Sequence, residues 1–334
     1  MNTALAGGGV DARGFMQRHG VKVFVAAVVL LFVYFAATTP NYLTLFNVKT
    51  IIRDAALVGI MGIGLTFVTL SGNFFLLSMK ETAALCIIAF ALGMANDYGF
   101  VISLAGALAI AVFTGAIQGA LIGIGGNPIV VTLGAAGILY GVASWWSDNL
   151  VISYPRPHDA EWLGTGSVLG VPNITIAFIV IAVIAELALR KTVFGRQVYL
   201  IGANRSTGKA TGHENLSMAI KVCIVASVCC AFVAVAFSAQ LSSAQANYFS
   251  SEFGSSGDFT ILVIATVMVG GNSIMGGYGS TLRTSLGAIF ISSVDNLMVL
   301  KGFASGARVL SVGLMIVFSI IAFAYLRRGR RSEG

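Results

Sequence analysis

Apolar runs recur along the whole chain, at Val21–Thr38, Ala55–Leu70, Thr82–Ala95, Phe100–Gly123, Ile129–Trp146, Ile174–Leu189, Ala219–Gln240, Phe259–Val269, Leu286–Leu300 and Val309–Leu326. Such runs leave few folds open. A segment of roughly 20 apolar residues crosses the hydrocarbon core of a bilayer as a helix, and spanning backbone must satisfy its own hydrogen bonds. The pattern predicts an all-α polytopic membrane protein with about ten transmembrane or re-entrant helices, residues 1–334 forming a single transmembrane domain. Several runs fall short of a full crossing, so half-helices are expected. Composition agrees: 57% of residues are hydrophobic and 10% charged, where a soluble domain carries roughly 25% charged residues.

The net charge of +7 raises the question of nucleic acid, but the cations gather at the ends of apolar runs and read as topology signals. Arg13, Arg18 and Lys22 precede the first run, and Arg327, Arg328, Arg330 and Arg331 follow the last. Between the fifth and sixth runs, Ser147–Pro172 carries Asp148, Asp159 and Glu161 against Arg156. After the sixth, Arg190–Ser217 carries Arg190, Lys191, Arg196, Arg205 and Lys209 against Glu214. The positive-inside rule then puts residues 1–20, 190–217 and 327–334 in the cytoplasm, with both termini on that side. The first run lacks a small-residue cleavage site and is expected to stay as an anchor. Membrane lipid is an expected partner and nucleic acid is not.

Two interruptions stand out. Gly270–Gly279 (GGNSIMGGYG) separates two apolar runs, and a weaker counterpart lies at Val68–Asn73, offset by 199 residues from Asn272 to Asn73. Irregular backbone at membrane depth is tolerated only where it is buried in protein or lines a water-filled path, and paired breaks in a duplicated permease mark the substrate route. Candidate pathway residues are Ser71, Asn73, Phe74, Phe75, Gly271, Asn272 and Ser273. Phe74 and Phe75 suit either a stacking surface or gate, or plain packing. The offset suggests an internal repeat, parallel if ten passes are counted correctly and inverted if one is miscounted.

Among the acids, Asp54, Glu81, Glu186 and Asp258 sit near expected helix ends, where snorkelling to the interface would explain them. Asp295, followed by Asn296, is the exception, and both are candidates to line the path; a structural hydrogen-bonding role is the alternative. Gly115, Gly119 and Gly123 repeat on one helix face, favouring close packing within the subunit over a dimer seam. Ala203–Ala210 superficially resembles a phosphate-binding loop, but alanine replaces both the opening glycine and the magnesium-binding hydroxyl. His19, His158 and His213 lack ligand spacing, and Cys86, Cys223, Cys229 and Cys230 fall within apolar runs. Neither a metal site, a disulfide nor catalytic residues are expected.

Three stretches taken together resemble the permease subunits of ribose-type ABC importers, in the branched-chain amino acid and ribose permease superfamily. They are Asn127–Gly134 (NPIVVTLG), Lys191–Arg196 (KTVFGR) running on to Ile201–Asn204 (IGAN), and Val269–Ser280 (VGGNSIMGGYGS). The resemblance covers about residues 41–326, and its implications reach beyond this chain. It implies a transport subunit that is not itself an enzyme and has no cofactor of its own, with ATP and magnesium on a partner ATPase. The implied partners are that cytoplasmic ATPase, a second permease copy or a sister permease, and a periplasmic or lipid-anchored solute-binding protein, at a bacterial inner membrane. It also gives Phe194, Gly195, Arg196, Gly202, Ala203 and Asn204 a role in coupling to the ATPase, with Arg205 and Lys209 continuing that contact. Such permeases usually carry a glycine pair, an acid and Leu-Ser in the first break, whereas this chain has Asn73 and Phe75 at the glycine and acidic positions. Either an unusual solute or the divergent half of a heterodimer would account for that. A monosaccharide or related small polar solute is the expected cargo; a nucleoside, an autoinducer-2-like solute, an amino acid, or ion-coupled transport are the alternatives.

Overall fold

A computed structural model describes residues 33–34, 37–73, 75–155, 159–204, 215–252 and 259–328. The helices are α1 (Leu45–Leu70), α2 (Met79–Ala95), α3 (Gly99–Gly123), α4 (Pro128–Trp146), the short α5 (Glu161–Gly164), α6 (Asn173–Lys191), α7 (Val193–Ala203), α8 (Asn215–Leu241), α9 (Phe259–Val269), α10 (Thr281–Leu300) and α11 (Ser305–Arg328). Nine of the apolar runs therefore become helices. The first run lies mostly outside the described residues. A π-helical turn (Tyr248–Glu252) and four two-residue strands complete the described elements, β1 (Ile152–Ser153) pairing antiparallel with β4 (Ser243–Ala244) and β2 (Ser167–Val168) with β3 (Val171–Pro172).

The protein is an all-α polytopic membrane protein. Helices α1, α3, α4, α6 and α8 are each long and apolar enough to cross a bilayer. At 1.5 Å per residue the 11 described residues of α9 reach about 16 Å. Several helices start earlier than the apolar runs suggested, α1 and α10 by the most. The Thr44 side chain accepts a hydrogen bond from the Asn47 amide and starts α1 at Leu45, before the run at Ala55. Thr281, Thr284 and Ser285, all buried, extend α10 back from Leu286.

Burial separates centre from periphery. The apolar windows of α1 and α8 are 83% and 78% buried, whereas that of α4 is 17% buried and presents Val130, Leu133, Ile138 and Trp145 outward. Lipid tails solvate such a surface as well as another helix would, so helix association relies on close packing. The Gly115, Gly119 and Gly123 face supplies it within the subunit. A Cβ on Gly119 would stand 2.5 Å from the Ile220 Cα, and one on Gly123 2.6 Å from the Leu216 Cα, so α3 lies backbone to backbone against antiparallel α8.

The chain alternates between two ends. One end gathers the C-terminus of α1, the Gly123 end of α3, α7 and the start of α8. At the opposite end α5 packs on Ala239 and Gln240 at the close of α8, and β1 meets β4. Residues 147–155 and 159–172 thus lie at the end opposite residues 193–203, as the charge pattern requires.

Candidate functional site

Both breaks begin as glycine-terminated helices. After α1, Gly72 takes φ 77°, its amide donates to the Thr69 carbonyl (3.0 Å) and the Asn73 amide to the Val68 carbonyl (3.3 Å). After α9, Gly271 takes φ 77°, its amide donates to the Met268 carbonyl (2.9 Å) and the Asn272 amide to the Val267 carbonyl (3.3 Å). These are Schellman stops, in which a left-handed residue lets two amides satisfy the last carbonyls. The same stop recurs at Tyr98 and Gly126. What distinguishes the pair is the offset of 199 residues and the fact that they face each other.

They meet across α7. The Gly277 amide donates to the Leu70 carbonyl (3.0 Å), joining break two directly to the end of α1. Gly202, near the end of α7, fits between them: a Cβ there would overlap the Leu70 carbonyl oxygen and come within 2.7 Å of the Gly277 nitrogen. A Cβ on Gly276 would stand 2.8 Å from both the Gly202 oxygen and the Gly72 Cα. Only residues without side chains permit this three-way backbone contact.

Polar side chains close the breaks internally. Ser71 donates to the Val68 carbonyl (2.7 Å) and Asn73 Nδ2 to Ser71 Oγ (3.0 Å). Asn272 does more: its Nδ2 donates to Thr284 Oγ1 (2.7 Å) and the Val267 carbonyl (3.2 Å), and its Oδ1 accepts from the Ser280 amide (2.8 Å). Ser71, Asn73, Asn272 and Ser273 are buried, and Phe75 is half-buried against the core; Phe74 lies outside the described residues. The backbone of break two is buried in protein at Gly270–Ser273, while its tip, Met275 and Tyr278, is exposed, with the Arg283 guanidinium 4.8 Å over the Tyr278 ring.

The segment that carries the coupling candidates has two faces. Phe194 stacks on Phe67 of α1 (5.9 Å between centroids), and Gly195, Val198 and Ile201 are buried. Arg196 and Asn204 are exposed, Ala203 is exposed while its backbone lies against Gly277 of break two, and Arg205 and Lys209 lie outside the described residues. Tyr199 Oη donates to the Gly279 carbonyl (2.8 Å). Burial, and then the nearby Glu186 charge, raise its pKa above the usual phenol value, which keeps that hydroxyl protonated and donating.

Asp295 and Asn296 are not part of this junction. They lie on α10, 15 residues beyond Ser280, or about 22 Å along the helix. There Arg308, itself buried, reaches Asp295 with two bonds (Nε to Oδ1 3.0 Å, Nη2 to Oδ2 2.6 Å). Asn47 Nδ2 donates to Asn296 Oδ1 (2.9 Å), and Tyr42 Oη to the Ser293 carbonyl (3.2 Å). The structure thus splits the candidate pathway set into two clusters at opposite ends of α10.

Snorkelling fails for Glu186. The side chain turns inward, because the first turn of α10 has unsatisfied amides and no cap from its own Ser280 side chain. The Glu186 carboxylate accepts from Ser280 Oγ (2.9 and 2.8 Å), Thr281 N (3.0 Å), Thr281 Oγ1 (2.7 Å), Leu282 N (3.3 Å) and Arg190. Sequence reasoning put Glu186 at the interface and passed over Thr281, Thr284 and Arg308. The acid four residues before Arg190 was visible as a local pair, but its partner 95 residues away was not. Asp258 and the three histidines lie outside the described residues.

Comparison with known proteins places this geometry in a context. The family described as branched-chain amino acid transport system / permease component matches residues 47–319. Over 318 residues the chain is 27% identical to the probable ABC transporter permease protein YphD of Escherichia coli K12, covering 95% of this chain and 93% of the relative. It is 27% identical over 310 residues to the ribose import permease protein RbsC of Haemophilus influenzae (91% and 93%), and 26% over 314 to the autoinducer 2 import system permease protein LsrC of an Enterobacter (94% and 89%). No solved structure matches the chain.

Proposed function

The chain belongs to the family of branched-chain amino acid transport permease components, and on that premise we propose that it is the permease subunit of a bacterial ABC importer for a monosaccharide or similar small polar solute. The relatives named for ribose and for autoinducer 2 support a small polyhydroxylated cargo. The chain would sit in the inner membrane with both termini and α7 in the cytoplasm. Hydrolysis would belong to a separate ATPase with its own ATP and magnesium, and delivery to an extracytoplasmic binding protein. A second copy or a sister permease would complete the channel.

One observation carries this reading: α7 is exposed along Arg196, Ala203 and Asn204 and is wedged by Gly202 against the backbones of α1 and break two. A cytoplasmic subunit that grips the exposed face moves the wedge. The wedge has no flexible side chain in which the motion could be absorbed, so α1 and break two move with it. Alternating access then follows as a tilt of α1 and α10 about this junction, opening one end of the molecule as the other closes.

The test is uptake by membrane vesicles holding the permease, its ATPase and its binding protein, against a panel of labelled sugars and polyols. ATP-dependent accumulation of one of them is expected, with loss of ATPase binding in Arg196→Glu. Uptake that persists without ATP and collapses with the proton or sodium gradient would overturn the proposal.

A further inference from the structure

We propose that Glu186 is a positioning residue for transport, which makes the N-terminus of α10 follow the α6–α7 elbow. The inference rests on the reading of α7 as the ATPase-facing segment and adds a second point of transmission, separate from the glycine wedge.

The elbow is stiff. Thr192 Oγ1 donates to the Ala188 carbonyl (2.5 Å) and accepts from the Gly195 amide (3.2 Å), so one hydroxyl closes α6 and opens α7. A Cβ on Gly195 would overlap the carbonyl oxygens of Ala188 and Leu189, so α7 starts in contact with the last turn of α6. Glu186 lies one turn before Arg190 in that same last stretch, and Arg190 holds it in place. Displacing α7 therefore displaces the Glu186 carboxylate.

What the carboxylate grips is the start of a helix. Two of its bonds are to the backbone amides of Thr281 and Leu282, and two are to the hydroxyls of Ser280 and Thr281. A helix N-terminus presents unpaired amides and a positive dipole end, and an anion held there makes charge-assisted bonds that are stronger than neutral ones. Asn272 of break two accepts from the Ser280 amide beside it, and Thr66 of α1 meets the Thr284 hydroxyl (2.6 Å). The first turn of α10 is thus held on one side by the break and on the other by α6. A structural cap would need only a local side chain; here the cap is borrowed from the helix that leads into α7.

The experiment measures solute transported per ATP hydrolysed by the reconstituted complex carrying Glu186→Gln, with Glu186→Ala alongside. Glutamine keeps the length but turns one acceptor into a donor that faces donors. Expected is a complex that assembles and hydrolyses ATP while solute moved per ATP falls at least about tenfold, the factor that one lost charge-assisted hydrogen bond supports. A third variant, Thr281→Ser, keeps the hydroxyl and should retain the wild-type ratio. If Glu186→Gln lowers uptake and hydrolysis together, in proportion to a loss of assembled complex, Glu186 is only a structural cap and the inference fails. A wild-type ratio in Glu186→Gln overturns it equally. Failure of the wild-type complex to show ATP-driven uptake would sink the underlying functional proposal instead, so the two failures are distinguishable.

Discussion

The two ends of α10 are held by different physics. At its start, α10 adjoins the junction of α1, α7 and break two, where backbone packs against backbone with glycine at the close approaches, and its first turn is gripped by the fixed acceptors Glu186 and Asn272. Near its close, the contacts with α1, the residues before it and α11 are made by side chains: the Asp295–Arg308 pair, Asn47 with Asn296, and Tyr42 on the Ser293 carbonyl. Backbone contacts at van der Waals distance have no rotamers to exchange, so the glycine end transmits a displacement rigidly. A pair of long side chains can part and meet again, so the far end can open while the first end stays closed. That contrast suits a helix that is driven from one end and gates at the other.

Substitutions sharpen or break the contrast. The largest effect is expected from Gly202→Val, whose side chain has no space beside the Leu70 carbonyl; uptake should be abolished while the exposed face of α7 still binds the ATPase, as read by co-purification and transport. Next comes Asp295→Ala, which removes both carboxylate bonds from the buried Arg308 guanidinium at a cost of roughly 3–5 kcal/mol, visible as a lowered unfolding temperature in detergent. Removing both charges, Asp295→Asn with Arg308→Gln, should recover much of that stability, whereas no second substitution should rescue Gly202→Val. Asn272→Ala is expected to cost roughly 1–3 kcal/mol, since three hydrogen bonds of break two end on that amide. Phe194→Leu should be the mildest, losing about 1 kcal/mol of ring stacking on Phe67.

The elements were legible in the sequence because apolar runs and helix stops are local. Gly72-Asn73 and Gly271-Asn272 announce their own Schellman turns. The Gly115, Gly119 and Gly123 face read correctly as intrasubunit packing, since its spacing states that some backbone must approach. The junction was not legible. Nothing near Gly202 says that Leu70 and Gly277 close around it, and the resemblance to a coupling segment marks the stretch without saying what it touches. Acidic residues were the least legible. Hydropathy treats Glu186 as an interface residue because it sits near a helix end, yet the amides that draw it inward belong to a helix that starts at Thr281. Asp295 drew attention as an acid inside an apolar run, but its partner Arg308, just ahead of the run at Val309, drew none.

The most direct test of the central claim, that α7 and break two move as one body, is a pair of distances between spin labels in the assembled complex. Cysteines replacing the exposed Ala203 and Met275 report on the junction, and cysteines replacing Ala203 and the exposed Leu43 report across the molecule. On adding ATP the first distance should stay fixed while the second changes. A first distance that opens as far as the second would contradict the account.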